Sequence, residues 1–314
     1  MSDATPRTSI VALLVFLAAG PLAAQPGLKH VSELLQPGPM RIDLVKDGLY
    51  LLRGPFLPCT PNGCRPNGPD DGLYHEPGDV ALRVTSQGLI LIDDKFTNHV
   101  PNILELVRTV SDLPIRYVLN THHHGDHASG NAPLRAMGID VVGHENIRSN
   151  FLRIKQPGEP NITFADRASV FSGGVEVQLL HLGSGHTSGD TVIYFPDLKT
   201  VHAGDLIVDG MPVIDYAGGG SALEFVKTIG ALLEVDFDTL IPGHGRLMTK
   251  QEVADYKARF EEMNRRMRNL ARSGVPKSEV RAKLYLEDLG WNHTVSTTTW
   301  ETNLERHYDE MAAQ

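Results

Sequence analysis

Between Arg41 and Arg53 apolar and polar positions alternate around the turn Lys46-Asp47-Gly48, which predicts two strands in a hairpin. The pattern repeats in Val80–Thr85 and Leu89–Asp93, separated by Ser86-Gln87-Gly88. The period then lengthens. Pro101, Ile103, Leu104, Leu106 and Val107 fall at helical spacing up to about Val110, with proline in the first turn. Short apolar strands are expected at Ile115–Leu119 and Ile139–Val142 with a helical stretch near Asn131–Met137 between them, a crossover unit that is right-handed as a rule. Val175–His181, Thr191–Phe195 and Thr200–Ala203 read as further strands, the last two joined by Pro196-Asp197-Leu198-Lys199. Ser221-Ala222-Leu223-Glu224 has the form of a capping box and predicts a helix to about Leu233, and Thr239–Ile241 closes the strand series. Beyond Gly245 the chain turns charged and helical. Thr249-Lys250-Gln251-Glu252 caps a helix expected to end at Gly274, with shorter helices near Ser278–Leu286 and Trp300–Met311. The order of elements predicts an α/β fold over residues 41–245, with a helical extension over 246–314 packed on it.

Composition narrows the partners. Of 314 residues 41% are hydrophobic and 21% charged, enough apolar material for a substantial core. Lys plus Arg number 29 against 38 Asp plus Glu, a net charge of -9 that argues against nucleic acid and against anionic lipid. A small-molecule substrate is the expected partner, with no nucleic acid and no membrane. The apolar run Ile10–Ala19 behind Arg7 is shorter than the about 20 residues a spanning helix needs. Followed by Gly20-Pro21 and Ala23-Ala24, it reads as a signal peptide over residues 1–24, and so predicts a periplasmic or secreted protein. In that compartment Cys59 and Cys64, flanking the turn Pro61-Asn62-Gly63, are expected to form a disulfide. A metal site on these cysteines would need two more ligands, and His75 alone does not supply them. They sit in a long loop, Gly54 to Pro77, rich in Pro, Gly and Asn.

The 14 histidines are concentrated where the chemistry is. Asn120-Thr121-His122-His123-His124-Gly125-Asp126-His127 follows a buried strand and contains H-x-H-x-D-H. On a loop, side chains two apart can converge on one ion while the consecutive Asp126 and His127 turn toward another, and zinc accepts both imidazole and carboxylate. Gly185-His186-Thr187, Ala203-Gly204-Asp205 and Pro242-Gly243-His244-Gly245 each place one His or Asp in a glycine-bearing turn after a strand.

These four motifs together resemble the metallo-β-lactamase superfamily over about Arg41 to Gly245. The resemblance implies a four-layer αββα sandwich with two zinc ions at one edge between the sheets. It implies that His122, His124 and His186 hold the first zinc, that Asp126, His127 and His244 hold the second, and that Asp205 bridges both. Asp93 maps onto an acid that orients the metal-binding histidines. Two zincs about 3.5–4 Å apart lower the pKa of a shared water enough to give hydroxide near neutral pH. Asp126 would orient that nucleophile as well as bind metal, and no Ser or Cys need form a covalent intermediate.

The bond attacked is less defined. Some zinc β-lactamases have a Cys ligand where this chain has Asp205, and Val208 stands where some have a lysine that anchors the antibiotic carboxylate. Asp205 is similar to the bridging Asp of glyoxalase II, lactonases and arylsulfatase-like relatives. A β-lactam-like cyclic amide is the first expectation, and a lactone or thioester the alternative. A di-iron redox protein of the same fold is the alternative of another class, although such relatives carry Glu at the position of His124 and add a flavin domain. Of the remaining histidines, His123 is not expected to bind metal. His181 and His202 are expected in core or supporting roles, and His144, His293 and His307 at the surface or in caps. Tyr216 and Gly218-Gly219-Gly220 form a loop expected, with Gly54–Pro77, to wall the substrate.

Overall fold

The computed structural model describes residues 40–54, 56–58, 73–75, 78–291 and 297–314. The signal segment, the Cys59–Cys64 pairing and His293 lie outside them. In chain order the first half comprises β1 (Arg41–Lys46), β2 (Leu49–Arg53), β3 (Phe56–Pro58), β4 (Leu73–His75), β5 (Val80–Thr85), β6 (Gly88–Ile92), α1 (Val100–Val110), β7 (Ile115–Leu119), α2 (Gly125–Ala128), α3 (Asn131–Ala136), β8 (Asp140–His144), α4 (Glu145–Ile154) and β9 (Ile162–Phe164). The second half comprises β10 (Arg167–Ser172), β11 (Val175–Leu180), β12 (Val192–Phe195), β13 (Thr200–His202), α5 (Ala222–Leu233), β14 (Thr239–Ile241), β15 (Met248–Thr249), α6 (Lys250–Arg272), α7 (Lys277–Lys283) and α8 (Thr297–Ala312).

Two large sheets result, one in the order β1-β2-β5-β6-β7-β8-β9 and one running β10 to β15 in sequence. Strand alternation distributes their side chains between layers. In β6, Ile90 and Ile92 enter the core between the sheets, where they meet Val177, Leu179, Ile193 and Phe195 of the second sheet. Leu89 and Leu91 point the other way, onto Ile103, Leu106 and Val107 of α1. The outer face of the second sheet is covered by α5 to α8, with Val201 and Leu240 under Phe225, Ile229, Tyr256 and Phe260. The layers are therefore helix, sheet, sheet, helix. A strand buried on both faces reads as a continuous apolar run, which is why Gly-Leu-Ile-Leu-Ile in β6 is so plainly legible.

Besides the short pieces β3, β4, α2 and β15, three elements lie where no pattern announced them. α4 buries only Ile147, Asn150 and Phe151. β9 has three residues, and β10 is an edge strand whose outer residues, Phe171 among them, face solvent. Each buries too little apolar surface to leave a periodic signal. The Thr249 capping box forms in full, and Gly274 ends that helix with a positive φ of 71°. The Ser221 box forms only in half. Glu224 N donates to Ser221 Oγ at 3.1 Å, but the Glu224 carboxylate pairs with Lys227. His307, expected at the surface or in a cap, is instead buried, its ring stacked on Phe260 and Nε2 within 2.6 Å of Asn264 Oδ1. His144 does cap α4, with Nδ1 accepting from Asn146 N, but it is buried there.

Candidate metal centre

β6 and β7 run parallel in one sheet and β13 and β14 run parallel in the other, so their C-terminal ends open on the same edge of the sandwich. The segments that leave those ends carry Asp93, Thr121 to His124, Asp205 and His244, and the turn between β11 and β12 adds His186. Asp126 and His127, expected on a loop, sit instead on the single turn of α2, with His124 at its N-cap. Glycine makes the convergence possible. At Gly204 a φ of 51° turns the chain so that Asp205 faces the site, and a Cβ on Gly243 would lie 2.0 Å from Asp205 Oδ1.

Two sets of donor atoms gather, each within 4.8 Å: His122, His124, His186 and Asp205 in one, Asp126, His127 and His244 in the other. Asp205 divides its two oxygens between them. Oδ2 faces His122 Nε2 at 3.9 Å and His186 Nε2 at 3.7 Å. Oδ1 faces His127 Nε2 at 3.1 Å and His244 Nε2 at 3.4 Å. Asp126 Oδ2 lies 3.2 Å from His244 Nε2 and 3.6 Å from His127 Nε2. All seven residues named from the sequence are thus brought together.

The outward nitrogens of the rings fix which atom each ring presents to the centre. Thr121 Oγ1 gives its one hydrogen to Asp93 Oδ2 at 2.7 Å, so at 3.0 Å from His122 Nδ1 it must accept. His122 therefore presents a bare Nε2, which is buried and has no hydrogen-bond partner among the described residues. His186 Nδ1 donates to Val213 O at 2.7 Å, and His124 Nε2 donates to Asp215 Oδ2 at 2.9 Å. His127 Nδ1 donates to Asp93 Oδ2 at 2.9 Å. The consequence is a test of fit. His186 Nε2 faces His124 Nδ1 at 2.9 Å, lone pair against lone pair. Such a contact repels unless a proton or a cation lies in it. In the other set His127 Nε2 faces His244 Nε2 at 3.2 Å, with Asp126 and Asp205 beside both rings. Burial, reinforced by the neighbouring His124, holds His186 down to about 4, and burial with His127 beside it holds His122 well below the ordinary imidazole value. A metal ion is the better occupant for these nitrogens, and imidazole with carboxylate is a donor set that zinc accepts.

The other set has a different electrostatic character. Burial would lower His244, but Asp205 and Asp126 outweigh it and push it up to about 9. The carboxyls of Asp126 and Asp205 resist burial in turn through these same imidazoles, and both are held below the usual carboxylate range.

Several supporting residues carried no motif. Thr121, the Val213 carbonyl and Asp215 orient the three-imidazole set. The signal for Asp215 was its place just before Tyr216 and the glycine run, but chain position alone does not say which histidine it meets. Asp93 was named from the sequence, and it also accepts from Thr121 N at 2.8 Å, from a backbone φ of 60° that non-glycine residues seldom adopt. Lys95 is wholly buried, with Nζ donating to Gly78 O at 2.5 Å, and Asp79 N donates to Gly243 O at 2.7 Å, tying that segment to the His244 turn. Burial, partly offset by Asp79 and Asp126, lowers Lys95 to about 8. His123 does not enter either set. Its Nε2 lies 3.6 Å from Asp215 Oδ2. A third ion shared by His123, His124 and Asp215 would require His124 to lose both ring protons.

The family profile described as the metallo-beta-lactamase superfamily matches residues 80–244, the span that carries every one of these donors. The chain belongs to the metallo-beta-lactamase superfamily. Among curated relatives, a hydroxyacylglutathione hydrolase of Methylococcus capsulatus is 36% identical over 136 residues, 43% of this chain and 46% of that protein. A metallo-beta-lactamase type 2 of Bacillus sp. (strain 170) is 25% identical over 181 residues, 55% of this chain and 69% of that protein. The matches span less than half the length of the first curated relatives. A solved metallo-beta-lactamase from Pontibacter korlensis superposes with a TM-score of 0.61 at 19% identity, covering 71% of this chain and 99% of that one, which shows the shared fold. Among the described residues no helix is long and apolar enough to cross a membrane.

Proposed function

We infer that this chain is an exported hydrolase that holds two zinc ions and cleaves a carbonyl compound. One observation carries the reading: Asp205 turns one oxygen to each of two donor sets, Oδ2 toward His122 and His186 and Oδ1 toward His127 and His244. His122, His124 and His186 would hold one ion, Asp126, His127 and His244 the other, and Asp205 both. Bound there, the two cations would supply an acidified water as nucleophile and a Lewis acid for the carbonyl oxygen. The protein's part is positional. Asp93 and Asp215 lock ring orientation, as carboxylates behind metal-binding histidines do. Asp126, half-buried on the open side of the cluster, is placed to hold the attacking water by hydrogen bond and to take its proton.

A strained cyclic amide of the β-lactam type is the first substrate class, supported by the likeness to the Bacillus enzyme over 55% of the chain. An acyl thioester or lactone is the second reading, carried by Asp205 reaching both sets and by the likeness to a hydroxyacylglutathione hydrolase. Elemental analysis of the purified protein should give two zincs per chain; iron with oxygen consumption would instead revive the redox alternative. A chromogenic cephalosporin, a homoserine lactone and an acyl thioester assayed side by side separate the substrates. Turnover of the thioester without the cephalosporin would remove the first class. Sequencing the N-terminus of the secreted protein tests export, and a mature chain starting near Gln25 is the expected result.

A further inference from the structure

The half-formed cap on α5 leads to a residue far along the chain. The amides at the start of a helix need acceptors, and the helix dipole favours an anion there. Glu224 does not turn back to supply one; Glu310 of α8 does. Its carboxylate accepts from Ala222 N at 2.8 Å and from Leu223 N at 3.4 Å, and Ser221 Oγ donates to it as well. The same carboxylate accepts from Tyr216 OH at 3.1 Å. Glu310 therefore grips both ends of the short loop from Tyr216 to Ser221.

That loop is attached to the metal centre at every step. Asp215, the residue just before it, accepts from His124 Nε2 and is itself braced by Gly218 N at 2.9 Å. Asp215 N donates to His186 O at 2.8 Å, and Ser221 N donates to Gly185 O at 3.0 Å. The loop thus orients His124 and pins the turn that carries His186. α8 is anchored independently of it, by Tyr308 OH donating to Val275 O at 2.7 Å and by His307 on Asn264.

We propose that Glu310 is a positioning residue for the three-imidazole donor set, acting from the C-terminal helix through the 215–221 loop. Holding that loop fixes Asp215 against His124 and so sets how tightly this set keeps a cation; the effect on metal rests on the ion-binding reading above. The acid-containing set, built on other loops, is outside its reach.

Cobalt(II) titration of the full metal-free chain, followed by its d–d absorption, tests the proposal. With the two steps assigned by their loss in His186→Ala and in His244→Ala, Glu310→Ala should weaken the step of the imidazole set on the order of ten-fold, within the range usual for partners behind the ligands. Tyr308→Phe, which loosens α8 elsewhere, should leave that step unchanged. In an Asp215→Ala background the Glu310→Ala effect should vanish, because the two residues act in series. Equal affinities for Glu310→Ala and wild type, or a full second loss on top of Asp215→Ala, would overturn the proposal. Amide hydrogen exchange on the metal-free proteins decides the clamp without any ion. Glu310→Ala should speed exchange at Asp215, Gly218, Gly220 and Ala222, and unchanged rates there would also sink it. A wild-type chain that takes up no cobalt but shows the exchange effect would count against the ion site and not against the clamp.

Discussion

Histidines are buried in two regions of this protein and do opposite things in them. At the sheet edge His122, His127 and His186 are almost completely enclosed; each spends Nδ1 on a protein acceptor and aims Nε2 into the cluster around the Asp205 carboxylate. In the helical layer His307 is enclosed to a similar degree, but its Nε2 finds Asn264 and its ring lies on Phe260. The stacked pair His144 and His181 behaves like His307, with Ala165 O and Asp190 O as acceptors. Burial does not mark a ligand. What sets the sheet-edge rings apart is that their inward nitrogens converge on one another and on the carboxylates of Asp126 and Asp205.

The comparison is most exposed to Asp205→Ala. Losing the carboxylate that faces both sets should lower metal affinity and hydrolysis by more than the roughly 100-fold at which outer partners stop. Two zincs retained at wild-type affinity would mean that the sets do not share this residue. His186→Ala comes next. Elemental analysis should find about one ion in place of two, with the Asp126, His127 and His244 set still filled, and most hydrolysis gone. Thr121→Val separates the regions more finely, since it removes the acceptor for His122 Nδ1 while leaving the Asp93 to His127 bond in place. A loss of about ten-fold confined to one ion is expected; equal loss at both would show that Asp93, rather than Thr121, governs His122.

A separate effect belongs to the helical layer and concerns stability alone. Burial lowers His307 from 6.5 to about 4. The unfolded chain therefore takes up a proton that the folded one refuses, so stability is full above pH 6.5 and is lost as pH falls toward 4. The size is on the order of 3 kcal/mol over that window. Urea melts of wild type and His307→Leu, subtracted at each pH, should isolate this slope, while zinc content stays the same in both. A flat difference, or loss of zinc from His307→Leu, would erase the distinction between the two kinds of buried histidine.

Much of the site could be read before folding because metal ligation constrains residue type and spacing together. His122, His124, Asp126 and His127 lie within one six-residue stretch, and His186, Asp205 and His244 each follow a strand that alternation or an apolar run had already marked. The α/β order was legible from buried strands such as β2 and β6 and from the caps or stripes of α1 and α6, while the αββα layering came only from the likeness of the four motifs to a known family. α4 and β10 were not, because a polar helix and an edge strand bury too little to impose a period.

What the amino-acid order determined, then, was the chemistry available and the class of scaffold that presents it, both of which follow from local rules on spacing, alternation and turns. The three-dimensional packing alone decided how that chemistry is held. Asp93 on Thr121, Val213 O on His186, Asp215 on His124 and Glu310 on the loop beneath are contacts between residues 27 to 94 positions apart. A single carboxylate or carbonyl has no periodicity to betray it; its role exists only once the chain has closed around its partner.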